Sequence, residues 1–212
     1  MHPSPAYRSP SAADDLAFVR QRAFGILCLA RDAEVLTAHV PFVLDDDGLT
    51  AGFHLARSNP ILTVLTEPHA ALLSVQGPDG YVSPTAYGLP AQVPTWNYVA
   101  VNLRGRLQRL PDAALPGHLA DLAALLEASR APVPPWTLDD LPDARREALQ
   151  RGIVPVRLTI DAVESTWKLG QGKPPAAIRG AADAVDAGPW GAERADLARR
   201  MRALAGTGEE GG

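Results

Sequence analysis

The densest cluster of chemically capable side chains is the run His54-Leu55-Ala56-Arg57-Ser58-Asn59-Pro60, which sets a cation, a hydroxyl and an amide where a strand should pass into a helix. Free N–H groups and the positive end of a helix dipole draw an anion such as phosphate. A guanidinium such as Arg57 can hold that anion through two parallel hydrogen bonds. The same residues fit a plainer role, with Ser58 and Asn59 capping the helix and Arg57 solvated, and the sequence leaves both readings open. A second cluster is Trp167-Lys168-Leu169-Gly170-Gln171-Gly172-Lys173. Eighteen of the 20 basic residues are arginine, and both lysines fall within this stretch. Lysine supplies a compact ammonium where arginine supplies a planar fork, so the pairing hints at a local need for a point charge, with coincidence as the plain alternative.

Other chemistries are excluded. The five histidines lack metal-ligand spacing and there is a single cysteine, so neither a zinc set nor an intrachain disulfide can be assembled. GxSxG, Walker A and GxGxxG motifs are missing. His39, on a predicted strand, reads more readily as a satisfied core histidine than as a ligand. His2 and His118 look incidental, and His69 fits either role. Cys28, inside Phe24-Gly25-Ile26-Leu27-Cys28-Leu29-Ala30, reads as a buried small hydrophobe. The net charge of −4 gives no global basic field of the kind that nucleic-acid binding favours. No apolar run is long enough to cross a bilayer. The first fifteen residues lack the apolar core of a secretory signal, so a cytoplasmic protein is expected.

The elements that must position these residues follow from hydrophobic periodicity. Residues 11–22 read as a short helix, with Ser11 as N-cap and Asp14 and Asp15 in its first turn. Residues 24–30 form a continuous apolar run, expected to be a strand buried on both faces. Residues 34–44 complete a hairpin in which Val35, Thr37, His39 and Pro41 share one face, with Pro41 marking an edge or bulge. Further strands are expected at 49–55, 69–76, 98–110 (with a bulge at Gly105) and 153–169. Helices are expected at 58–66, 112–130 and 142–151, and around Gly188-Pro189 in 174–204, with 206–212 frayed. Between two strands, residues 77–98 hold four prolines, three tyrosines and a tryptophan. That composition predicts an ordered loop covering a pocket or a partner subunit. The fold class is mainly β with appended helices (α+β), the helices being added to one antiparallel barrel.

Several of these motifs occur together in one known family. His54–Pro60 (HLARSNP), Gly77-Pro78 leading into Tyr81-Val82-Ser83-Pro84, Val93-Pro94-Thr95-Trp96-Asn97-Tyr98, and Lys168-Leu169 followed by Gln171 resemble, in the same order, the PaiB-like FMN-binding negative transcriptional regulators. The resemblance runs from about Gly25 to Lys173. It implies an antiparallel split β-barrel of the flavin-reductase and pyridoxamine-phosphate-oxidase type, forming a homodimer with FMN between the subunits. It makes His54, Arg57, Ser58 and Asn59 the phosphate end. It lays the strand bearing Thr37 and His39 along the isoalloxazine ring. It brings Trp96, Asn97, Lys168 and Gln171 from the facing subunit, with a dimer-interface role for Trp96 nearly as well supported. On this reading residues 1–173 form the FMN-binding domain, with helices inserted at 112–151, and 174–212 form a C-terminal helical extension.

The chain departs from the family pattern at two places. Where the family has Ser-Pro-Ser-Trp-Tyr, Ser83-Pro84-Thr85-Ala86-Tyr87 lacks a large aromatic. Where it has Lys-Leu-Ser-Gln-Asn-Lys, Gly170 and Gly172 replace a serine and an asparagine. If those groups bond flavin, their loss weakens binding by roughly 0.5–1.5 kcal/mol each; if glycine only shapes a turn, nothing is lost. Three functions remain open. The first is an FMN-binding dimeric regulator, whose DNA contact would fall on Arg145 and Arg146 or on Arg194, Arg199, Arg200 and Arg202. The second is an FMN-dependent oxidoreductase using the same pocket, with His39 or Tyr87 available for proton transfer. The third is a dimeric interaction module without cofactor.

Overall fold

The structure, a computed structural model, describes residues 1–207. Its strands are β1 (Phe24–Arg31), β2 (Glu34–Pro41), β3 (Val43–Leu44), β4 (Thr50–Ala56), β5 (His69–Val82), β6 (Thr95–Arg109) and β7 (Ile153–Lys168). Its helices are α1 (Ala12–Arg22), α2 (Leu115–Glu127), α3 (Asp143–Gln150), α4 (Pro175–Ala187) and α5 (Arg194–Thr207). The strands form one seven-stranded sheet in the order β2-β1-β5-β6-β7-β4-β3. The pairs β1–β2, β1–β5, β3–β4 and β4–β7 are antiparallel. The expected class, antiparallel β with appended helices, is the one found.

The chain divides into two compact units. The first comprises residues 1–15, 76–101 and 164–212, and the second comprises 16–75 and 102–163. The second unit has a core of Leu27, Leu29, Phe42, Phe53, Leu73, Leu103, Leu107 and Leu158, all buried. The first unit packs Val82, Val99 and Val101 with Ile178, Ala182, Val185, Leu197 and Met201, the inner faces of α4 and α5.

Several expectations are corrected. The strand predicted at 69–76 runs on to Val82, so the first six residues of the predicted 77–98 loop belong to β5 and the last four, Thr95–Tyr98, to β6. Gly80 serves close packing there: a β-carbon on it would lie 2.9 Å from Val185 and 3.2 Å from Leu197. The Asp79 and Tyr81 amides donate to the Ala192 and Trp190 carbonyls at 2.9 and 3.3 Å. The predicted helix at 58–66 is a five-residue 3-10 turn, Pro60–Val64. Residues 112–130 are an α-helix only over α2, between two 3-10 turns. Burial alternates without a break through Gly105 in β6, where the backbone of Thr159 approaches closely. β1 is buried on one face only, with Gly25, Leu27 and Leu29 alternating against the exposed Phe24 and the partly exposed Ile26 and Cys28. A continuous apolar run cannot distinguish a strand covered twice from one with an uncovered apolar face. Cys28, expected to be buried, is therefore partly exposed. In the predicted frayed tail Gly206 and Thr207 close α5, and the rest lies outside the described residues.

Glycine substitutions separate these effects. A β-carbon at Gly105 would meet the Thr159 carbonyl oxygen at 1.8 Å, whereas one at Gly117 in α2 meets nothing within 4 Å. Gly105→Ala is expected to cost at least about 2 kcal/mol through forced backbone displacement. Gly117→Ala should be neutral or stabilise by up to about 1 kcal/mol. Chemical denaturation of both variants measures the contrast.

Candidate functional site

The residues singled out by sequence fall into two groups, one in each unit. In the second unit, the register of the β1–β2 hairpin pairs Phe24 with Pro41, Ile26 with His39, Cys28 with Thr37 and Ala30 with Val35. Directly opposed residues share a face. This face continues onto β5, where Ile26 opposes Ser74 and Cys28 opposes Leu72. Within the unit it is left open: Phe24 is 53% and Val35 73% exposed, and Thr37 and His39 are exposed as well. His39 is thus not the core histidine its strand position favoured. Its ring lies 6.4 Å from that of Phe24, tilted by 30°.

The His54–Asn59 run sits where β4 ends. Asn59 is the cap, accepting from the Ile61 amide at 3.0 Å, and the Ser58 hydroxyl is exposed with no partner among the described residues. Arg57 is bound within the chain: Nε donates to the Arg151 carbonyl at 2.9 Å, and Nη2 donates to Asp112 and to the Ile153 carbonyl at 3.1 Å each. Its Nη1 stays available. A 3-10 turn of five residues offers far less dipole than the predicted helix. His54 Nδ1 lies 3.2 Å from His118 Nε2, one nitrogen donating and the other accepting. Burial lowers the His54 pKa. His118 is pushed down to about 4, first by burial and then by the neighbouring His54, with Asp121 opposing. His118, read as incidental, is therefore the partner of His54. The two lie 64 residues apart, so no spacing signal could have joined them.

In the first unit a cavity of about 240 Å³ is lined by Tyr7, Tyr87, Thr95, Asn97, Lys168 and Lys173, among others. The Lys168 ammonium donates to the Thr95 hydroxyl, and that of Lys173 donates to the Gln92 side-chain oxygen at 2.6 Å. Asn97 is fully buried; its amide nitrogen lies 3.6 Å from the Met201 sulfur, and its oxygen has no hydrogen-bond partner among the described residues. Gln171 closes its own turn, accepting from the Leu169 amide at 2.9 Å and donating to the Trp167 carbonyl at 2.5 Å. Gly170 and Gly172 in this turn have φ of +102° and +78°. Asparagine is among the residues that tolerate left-handed backbone, so glycine in its place at 172 keeps the turn. Trp96 donates to Asp79 at 3.0 Å, and its ring lies 6.3 Å from that of Tyr81.

The arginines offered by sequence for polyanion contact are mostly neutralised. Arg146 pairs with Asp139 and Asp143, Arg199 and Arg200 with Asp196, and Arg202 with Asp183 and Asp186. Among the described residues no group of three or more histidines, cysteines and carboxylates is placed to hold a metal, and no helix is long and apolar enough to cross a membrane.

The histidine pair makes stability pH-dependent. The folded-state pKa of His118 is about 4 against an ordinary 6.5, so the unfolded chain binds more protons between those values. Its contribution is complete above pH 6.5 and is lost as the pH falls towards about 4. His118→Gln should flatten this acid limb in denaturation series, and an unchanged slope would remove the pair from the account.

A family model described as "Putative FMN-binding domain" matches residues 1–162. The protease synthase and sporulation protein PAI 2 of Bacillus subtilis is 27% identical over 172 residues, 80% of this chain and 82% of that protein. Among solved structures, an FAD- and heme-binding protein from Mycobacterium smegmatis is similar with a TM-score of 0.59 and 20% identity, covering 87% of this chain and 82% of that one. The flavocytochrome Anf3 from Azotobacter vinelandii is similar with a TM-score of 0.61 and 14% identity, covering 80% and 73%. At these identities the two structures establish a shared fold. The match over most of the chain establishes more: the protein belongs to this family of FMN-binding domains, and FMN is the cofactor that membership assigns.

Proposed function

We propose that the protein works as a homodimer that binds FMN against the outer face of the β1–β2 hairpin, in a regulatory role like that of the PaiB-like proteins. The observation that carries this reading is the open apolar face itself. Phe24, Ile26, Val35 and Leu72 share one open face, with the Thr37 hydroxyl and the His39 imidazole among them on β2. Contiguous exposed apolar surface of this kind marks a binding site or a subunit interface. An isoalloxazine ring needs both an apolar plane and polar groups at its edge, and these side chains fit it. The Ser58 hydroxyl and Arg57 Nη1 are the donors available for its phosphate, with Asn59 and His54 beside them in sequence. When bound, FMN supplies redox chemistry or serves as the sensed ligand, and the protein orients it.

The regulatory part rests on likeness to the Bacillus protein, whose name ties it to protease synthesis and sporulation. Direct DNA contact is the least supported partner, since most of the candidate arginines are ion-paired. Consumption of NADPH by the FMN-loaded protein would move the reading to a flavin oxidoreductase.

Titration with FMN, followed by flavin fluorescence, should saturate at one FMN per chain. Phe24→Glu and Val35→Glu each put a carboxylate on the open face. Both are expected to yield monomers by gel filtration and to weaken FMN binding at least about tenfold, the cost of burying an unpaired charge. Leu49→Glu, at a site exposed elsewhere in the second unit, should change neither. Undiminished FMN affinity in a monomeric variant would overturn the interfacial site.

A further inference from the structure

We propose that the cavity between Lys168 and Lys173 is a binding site for a compact oxyanion that also carries a hydrogen-bond donor, such as hydrogen phosphate or a small hydroxycarboxylate, and that it is separate from the FMN site. Every residue of this cavity lies in the first unit, so the site does not depend on the hairpin-face reading.

Charge is the first argument. Among the described residues neither lysine has a carboxylate partner; each ammonium rests on a neutral oxygen, from Thr95 or Gln92. Lys173 lies 4.5 Å from the Tyr87 ring centroid and Lys168 5.8 Å from that of Tyr7. Burial and the nearby Lys173 charge both lower the pKa of Lys168. Two like charges held together in a partly desolvated pocket repel, and an anion between them relieves both the repulsion and the desolvation.

Asn97 adds the second requirement. Its fully buried side-chain oxygen lacks a donor, and buried acceptors are nearly always satisfied. A small turn of the Asn97 amide would bring this oxygen into the cavity that the residue lines, where a ligand with an O–H beside its oxyanion would supply both halves. Size sets the third limit. A volume of about 240 Å³ falls below the roughly 300 Å³ where pockets for drug-sized ligands begin, so a tricyclic flavin with its ribityl phosphate does not fit. The pocket is also rigid, because Gln171 bridges Leu169 and Trp167, while Gly170 and Gly172 take the positive φ that the turn needs. The confinement of lysine to this segment, in a chain that otherwise uses arginine, is what such a site would leave in the sequence.

Calorimetric titration of the full chain with inorganic phosphate and with malate, at ionic strength fixed by chloride, tests this directly. One site per chain is expected for at least one of the two probes, with the same affinity whether or not FMN is present. Phosphate alone or malate alone would identify the preferred oxyanion. Lys173→Gln should weaken binding at least about tenfold, whereas Lys173→Arg, which keeps the charge, should weaken it less, both variants melting as the unsubstituted chain does. Binding of neither probe at millimolar concentration, or binding indifferent to Lys173→Gln, would overturn the proposal. Competition between FMN and the probe would also overturn it, by assigning the lysines to the flavin site. Failure of FMN binding with intact anion binding would instead count against the hairpin-face reading alone.

Discussion

The backbone of Thr159 passes so close to Gly105 that no side chain can stand there, since a β-carbon would lie 1.8 Å from the Thr159 carbonyl oxygen. This approach fixes where β6 and β7 meet in the second unit. The same two strands are the ones whose other ends carry Thr95, Trp96 and Asn97, and Lys168. A slip of one residue in either strand would turn every side chain to the opposite face. Leu103, Leu107 and Leu158 would leave the core. One glycine thus anchors the core of the second unit.

Charge is distributed with equal economy. The chain is acidic overall, and its arginines on α3 and α5 are mostly spent on aspartates one turn away or on the neighbouring helix. Exposed pairs of this kind add little stability, but they remove positive charge from surfaces that might otherwise attract polyanions. Among the described residues the two lysines are left without such partners. The contrast between paired arginine and unpaired lysine directs attention to one small cavity and away from the helices.

Much of this was legible in the sequence. Alternation or apolar runs located the strands, the 3.6-residue period located α2, alanine-rich composition pointed to the segment that holds α4 and α5, and the motif order from His54 to Gln171 identified the family. Misreadings arose where one signal has two physical causes. The apolar run of β1 reads the same whether its second face is covered by its own chain or left open. Gly77, Pro78 and Gly80 read as a loop because glycine more often marks a turn than a place where two helices press on a strand. The His54–His118 pair was invisible because it depends on tertiary contact alone. The Asn97 oxygen without a partner has no sequence signature, although the lysine clustering did point to its surroundings.

The central claim is that FMN binds at the open hairpin face and that a second copy of the chain covers it. Sedimentation velocity with FMN present, observed in the visible flavin band, measures both at once. The account predicts that flavin absorbance travels with a boundary of twice the chain mass, and that Val35→Glu leaves the flavin behind with the solvent. Flavin moving with a single-chain boundary, or remaining free beside an intact dimer, would contradict it.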